Sequence, residues 1–229
     1  LPSSAVRAVV ENVAARIRKP FGMRPRCPHR CSATSDRRAV LGYGDANADF
    51  HVIGDHPGVH GGRESGIPFT GCEAGERILE ALDAVNLVRR TEDDPVPVST
   101  YLSYYHCCCV PTGDDPTEAA YRDFERFFDA ELRGIAADVL LPVGPRVTAH
   151  VLGEYTAQAH RLDAATDDLH GRQIRGRGFL VLPIKDPRHW EDGDFDTFVR
   201  AIRRLRSMDY RQMVDLGRFI PGSEPYFTR

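Results

Sequence analysis

Asp55 and His56 stand side by side where the β-branched pair Val52-Ile53 breaks into a loop bounded by glycine and proline, Gly54-Asp55-His56-Pro57-Gly58. After a short glycine-rich span, Gly66-Ile67-Pro68-Phe69-Thr70-Gly71 presents an aromatic ring behind a proline. A carboxylate and an imidazole at a strand end can orient water or hold a proton, and an exposed aromatic face can take a flat ring. Together they have the makings of an active-site floor. The ordinary alternatives are a solvated loop pair closing a turn and a core phenylalanine.

The cysteines are a second source of chemistry. Cys27 and Cys31 form Cys-Pro-His-Arg-Cys, and Cys107, Cys108 and Cys109 are consecutive. Packing alone does not explain that density, and without an export signal the thiols are expected to stay reduced. In a strand Cys107 and Cys109 share a face while Cys108 points away. His29 and His106 lie beside these cysteines, so a zinc site with mixed thiolate and imidazole ligands is open. Cys72, at the start of a predicted helix, reads as a small buried side chain.

The elements that must position these groups alternate between strand and helix. Apolar spacing predicts a helix over residues 5 to 18, a short buried strand at Phe50, Val52 and Ile53, and a helix from Glu76 to Leu87. The segment Ser99 to His106 is β-prone, and Ala119 to Ile135 carries one apolar stripe. Val139 to Val143 and Phe179 to Ile184 read as buried strands, with a helix near Arg146 to Leu152 between them. A last helix is expected from Asp194 as N-cap, and Arg90 to Pro97 reads as a surface loop. This order implies an α/β fold of three layers, α/β/α, with a central, mainly parallel sheet. Ligands sit at the carboxyl ends of such strands, where the loops at Asp55 and Asp186 emerge.

Composition sets the outer limits. The chain has 229 residues, 41% of them hydrophobic, enough to bury a core in one domain. We expect residues 1–21 to form an N-terminal helix, 22–208 the domain and 209–229 a tail. No apolar run approaches the length of about 20 residues that spans a bilayer, and no leader is evident, so a cytoplasmic protein without membrane contact is expected. The net charge of −3 gives no global attraction to nucleic acid, so binding must rest on a local basic face. Arg172, Arg175 and Arg177 in a glycine-rich segment are candidates to grip phosphates; Arg200, Arg203, Arg204, Arg206 and Arg211 read as a solvated helix face.

Four blocks of the chain resemble the uracil-DNA glycosylase superfamily, and specifically its iron-sulfur family (family four). That family carries a strand ending in Gly-Glu-Ala-Pro-Gly and then Gly-x-Pro-Phe-Val-Gly, similar to the two motifs above. Cys109-Val110-Pro111-Thr112-Gly113-Asp114-Asp115-Pro116-Thr117 is similar to its Cys-Arg-Pro-Pro-Gly-Asn-Arg-Asp-Pro-Thr. The segments Leu169-His170-Gly171-Arg172 and Val181-Leu182-Pro183-Ile184-Lys185-Asp186-Pro187 resemble its final catalytic region in length and register.

The resemblance implies removal of uracil or another damaged base from DNA by N-glycosidic hydrolysis. Asp55 would position water or stabilise charge on the sugar, with Gly54, Pro57 and Gly58 shaping the loop and Phe69 stacking on the flipped base. His56 would contact a phosphate or the uracil carbonyl. The family holds a 4Fe-4S cluster on cysteines at positions like those of Cys27, Cys31 and Cys109, with Cys107 as a substitute for the last, where this chain has Tyr121. Zinc is the alternative.

Two departures fall on chemistry. The family's final His-Pro is Asp186-Pro187 here, and an ionised carboxylate opposes an anionic leaving base; a protonated Asp186, or Lys185 or His189 nearby, would answer this. The asparagine that reads uracil is replaced by Tyr105. His60 and Arg63 read as loop surface. The rival reading is a nucleic-acid-binding protein that keeps the fold and cluster but has lost hydrolysis, and a redox sensor ranks behind both. DNA, uracil-containing or damaged, is the expected partner, and no protein partner is evident.

Overall fold

The structure is a computed structural model that describes residues 39–91, 94–108, 114–163, 167–208 and 210–211. The expected N-terminal helix, Cys27, Cys31, Cys109 and most of the tail lie outside these residues.

The elements run β1 (Tyr43–Gly44), β2 (Phe50–Gly54), α1 (Pro57–His60), α2 (Glu73–Ala84), β3 (Val88–Arg89), β4 (Val96–Pro97) and β5 (Thr100–Tyr104). They continue with α3 (Glu118–Ile135), β6 (Val139–Pro142), α4 (Pro145–Tyr155), β7 (Ile174–Arg175), β8 (Leu180–Val181) and α5 (Asp194–Arg206). The sheet order is β1-β5-β2-β6-β8-β7. β5, β2, β6 and β8 are parallel, and β1 and β7 close the two edges antiparallel. This is the three-layer arrangement, mainly parallel and mixed at its edges.

Alternation along the strands assigns the layers. Tyr101 reaches Glu131 of α3, and Tyr105, just beyond β5, packs edge-on against Phe128 of α3. Phe50 and Tyr104 point the other way, toward Tyr210 and Phe69. β2 and β5 are buried at every position, as strands covered on both faces must be. α2 and α5 pack together on the Phe50 side. Arg203 and Arg206 donate to the Ala84 and Val85 carbonyls at the end of α2, and Arg211 pairs with Asp49. Three of the five arginines read as a solvated face therefore hold the fold together, two of them by satisfying carbonyls a helix end leaves open and Arg211 by pairing with a carboxylate.

Several boundaries differ from expectation for local reasons. α2 starts three residues early because Cys72 caps it, its sulfur accepting from the Gly75 N–H. It also ends earlier, at Ala84, since Asn86 takes φ 56° and turns the chain out. α5 is capped by Gly193, with Asp194 inside the first turn. Arg90 to Pro97 is no simple loop, because β3 and β4 pair across it. Among the described residues no helix is long and apolar enough to cross a membrane.

Candidate active site

The loop leaving β2 and the loop following β8 meet at the carboxyl edge of the sheet. Gly54 ends β2 where a Cβ would come within 2.6 Å of the Tyr104 ring and 2.9 Å of the Phe69 ring. Only glycine lets the backbone pass this close to both. Beyond it the chain keeps pairing with β5, as Tyr105 and His106 donate to the Gly54 and Asp55 carbonyls. Asp55 is therefore carried on a backbone fixed by the sheet.

Its carboxylate, 20% exposed, accepts from the Tyr121 hydroxyl of α3 at 2.5 Å and lies 3.8 Å from the Arg146 Nε of α4. Arg146 also lies over the Tyr121 ring at 4.5 Å and pairs with Glu118. Burial and the Asp55 charge push the Tyr121 phenol far up, so it stays a donor.

His56 is turned to a different use. It is the N-cap of α1, its Nδ1 accepting from the Gly58 N–H, with Nε2 at 3.2 Å from exposed Asp115. Burial lowers its pKa against the opposing pull of Asp55 and Asp115. Both ring nitrogens are committed. Pro57 is buried at the first helical position and Gly58 is exposed.

His60 corrects the expectation of loop surface. It is 0% exposed. The Asp55 N–H donates to its Nδ1 at 3.0 Å, and its Nε2 faces Asp186 Oδ1 at 3.8 Å. Burial follows because α1 is a single turn that folds its last side chain back under the loop; Tyr104 donates to the His60 and Gly61 carbonyls and fixes that turn.

Asp186 is 6% exposed. Burial pushes its carboxyl up, but His60, the Arg188 guanidinium and the Arg188 N–H outweigh this and hold it well below the carboxylate range. Arg188 grips both oxygens, Nε at 3.2 and 3.1 Å and Nη2 at 2.7 Å. A protonated Asp186 is therefore excluded at neutral pH. The positive charge beside it comes from Arg188, half exposed at 50%, rather than from Lys185 or His189. Lys185 reaches back to Asp194 at 3.2 Å, and His189 is exposed.

Phe69 sits in the left-handed region at φ 67°. Its N–H donates to the Tyr104 hydroxyl at 2.8 Å, and its ring lies between His60 and Tyr104 with centroids at 5.9 and 5.4 Å. The ring is 0% exposed. Tyr105 lies on the opposite side of β5, stacked between Tyr121 at 5.2 Å and His150 at 4.5 Å. It therefore does not share the Phe69 wall.

Arg172, Arg175 and Arg177 are exposed on and around edge strand β7. Cys107 and Cys108 are buried, at 6% and 1%. Cys108 is disulfide-bonded, against the expectation of reduced thiols, whereas Cys72 and Cys107 are not. Among the described residues no group of three or more His, Cys, Asp or Glu could hold a metal ion.

Four residues that organise this site, His60, Tyr121, Arg146 and Arg188, are not marked by the sequence as functional. The one available signal is Arg188, two residues beyond Asp186 across a proline.

Comparison with known proteins follows the same region. A family model described as the uracil DNA glycosylase superfamily matches residues 41–206. The chain is similar to a type-5 uracil-DNA glycosylase of Pyrobaculum aerophilum, 28% identical over 157 residues, 66% of each chain. It is also similar to a type-5 uracil-DNA glycosylase of Thermus thermophilus, 31% identical over 98 residues, 42% of this chain and 45% of the relative. The matches thus span just under two thirds of the first relative and under half of the second.

Proposed function

Because the chain belongs to the uracil-DNA glycosylase superfamily, we propose that it hydrolyses the N-glycosidic bond of uracil or a related damaged base in DNA, leaving an abasic site. The observation that carries this reading is the Asp55 carboxylate at the end of β2, held by Tyr121, on a residue whose backbone N–H binds His60, the imidazole that faces Asp186 of the second loop.

The reaction needs a nucleotide out of the stack, water or negative charge beside an oxocarbenium-like sugar, and compensation for charge on the departing base. Asp55 serves the second need. The Tyr121 bond fixes one oxygen, and the other is 3.8 Å from Arg146. For the third, Arg188 pairs with Asp186 and so cancels the negative charge that would oppose the departing base at the second loop. Arg172, Arg175 and Arg177 would hold the flanking phosphates.

A 4Fe-4S cluster on Cys27, Cys31, Cys107 and Cys109, with zinc as the alternative, belongs to the same proposal. Its support is the cysteine density and the family resemblance; the described residues alone do not assemble such a site, so no step runs through it. Cys108, being disulfide-bonded, offers no thiolate to that set, whereas Cys107 keeps its thiol. Iron, sulfide and zinc analysis of anaerobically purified protein tests this, and a sample lacking all three removes it.

A second reading has its own observation. Phe69 is fully buried behind His60, and Tyr105 is packed away between Tyr121 and His150. That arrangement favours a protein that binds DNA without excising a base. Incubation with oligonucleotides carrying uracil, hypoxanthine or xanthine, single- and double-stranded, separates the two. Abasic product supports the glycosylase, and binding without product from any base supports the rival.

A further inference from the structure

Two carboxylate-bearing loops that leave different strands converge on one imidazole. The Asp55 N–H donates to His60 Nδ1 at 3.0 Å, so Nδ1 carries the lone pair and the ring proton sits on Nε2. That Nε2 is buried without a hydrogen-bond partner, and the group it faces, at 3.8 Å, is Asp186 Oδ1. The ring cannot swing away, because Tyr104 clamps the His60 and Gly61 carbonyls and Phe69 lies against it.

We propose that His60 is a positioning residue that acts through Asp186, aiming that carboxylate relative to Asp55 so that both loops meet the flipped nucleotide in one register. This rests on the glycosylase reading. The 3.8 Å separation exceeds a formed hydrogen bond, and such gaps in free enzymes close when substrate is bound.

The other partner of Asp186 cannot do this alone. Arg188 is 50% exposed, and a DNA phosphate competes for a guanidinium in that position. His60 is 0% exposed, so neither solvent nor DNA can take it from Asp186. When Arg188 turns to a phosphate, His60 is the donor that keeps the carboxylate aimed.

Two substitutions divide the role. His60→Asn keeps an acceptor near Nδ1 for the Asp55 N–H but has nothing at Nε2. His60→Gln carries a donor to the Nε2 position. We expect His60→Asn to slow single-turnover excision by about 30-fold or more with little change in Tm, and His60→Gln to recover at least about a third of that loss in logarithmic terms. In an Asp186→Asn background, adding His60→Asn costs no more than about twofold, because the path through Asp186 is already broken. Undiminished excision by His60→Asn, or a fully additive loss in the double variant, overturns the proposal.

If the wild-type protein excises no base at all, the glycosylase reading fails, and imidazole ¹⁵N spectra test His60 separately. The Nε2–H tautomer is expected, with its resonance displaced by Asp186→Asn. A resonance indifferent to Asp186→Asn overturns the coupling whatever the activity.

Discussion

The Tyr121 hydroxyl donates to Asp55 Oδ1 across 2.5 Å, tying the first turn of α3 to the loop that leaves β2. The position where the family resemblance would seat a last cluster cysteine is thus spent on the candidate catalytic carboxylate. Hydrogen bonds to charged groups contribute about 1.5–3 kcal/mol, less where water can replace the donor, and Asp55 is 20% exposed. Tyr121→Phe is therefore expected to slow base excision about tenfold and to lower stability by about 1 kcal/mol. Single-turnover rates and urea unfolding check both, and an unchanged rate would detach Tyr121 from the chemistry.

A buried relay on the α3 side predicts an unusual pH profile of stability. His51 Nε2 lies 2.7 Å from Ser103 Oγ, and Glu131 is hydrogen-bonded to Tyr101 and Ser103. Burial, against the bonds from Ser103 and Tyr101, raises the Glu131 carboxyl from 4.5 to about 7. Burial lowers His51 from 6.5 to about 3. Between pH 4.5 and 7 the folded state keeps a proton on Glu131 that the unfolded chain releases, so this group costs stability as pH rises. Between pH 6.5 and 3 the unfolded chain protonates His51 and the folded state refuses, so that group costs stability as pH falls. Over pH 4.5 to 6.5 the two slopes, each up to about 1.4 kcal/mol per pH unit, oppose one another. Glu131→Gln removes one of them, so the difference in unfolding free energy, variant minus wild type, should climb with pH across that window. A flat difference would show that Glu131 is not protonated in the fold.

Arg188→Ala leaves Asp186 with His60 and a backbone N–H. Removing one partner of a fully buried pair costs about 3–5 kcal/mol, but Arg188 is 50% exposed, so a loss of about 1–2 kcal/mol is expected. Adding Asp186→Asn should return part of it, since no charge is then left unpaired. Thermal melts of the single and double variants decide this, and additive losses would contradict it.

If Arg175 and Arg177 hold DNA backbone, charge reversal at both should weaken single-stranded binding equally across sequences. It should also reduce the slope of log affinity against log salt by about 1.4, from about 0.7 for each phosphate no longer neutralised. An unchanged slope removes these two residues from the interface.

The layers were legible because glycine and proline bracket apolar runs, and the loops of Asp55 and Asp186 do meet as strand-end logic requires. Local capping was less legible. Cys72 reads as a buried small residue, yet its sulfur opens α2, and Asp194 reads as an N-cap where Gly193 takes that place. His60 escapes a sequence reading because its burial comes from Tyr104 and Phe69, across the sheet edge, and leaves no periodic trace. A protonated Asp186 is a fair reading of a carboxyl beside an anionic leaving base; the two-residue return of Arg188 across Pro187, which keeps it charged, is a matter of turn geometry.

The most direct measurement is single-turnover excision of uracil from a single-stranded oligonucleotide by metal-replete protein, scored as abasic product after alkaline cleavage, with Asp55→Asn alongside. The account predicts product from the wild-type chain and a rate lower by about 100-fold or more in Asp55→Asn, with the fold and DNA affinity retained. Excision that proceeds equally without the Asp55 carboxylate, or folded protein that binds the oligonucleotide and yields no abasic site, would contradict it.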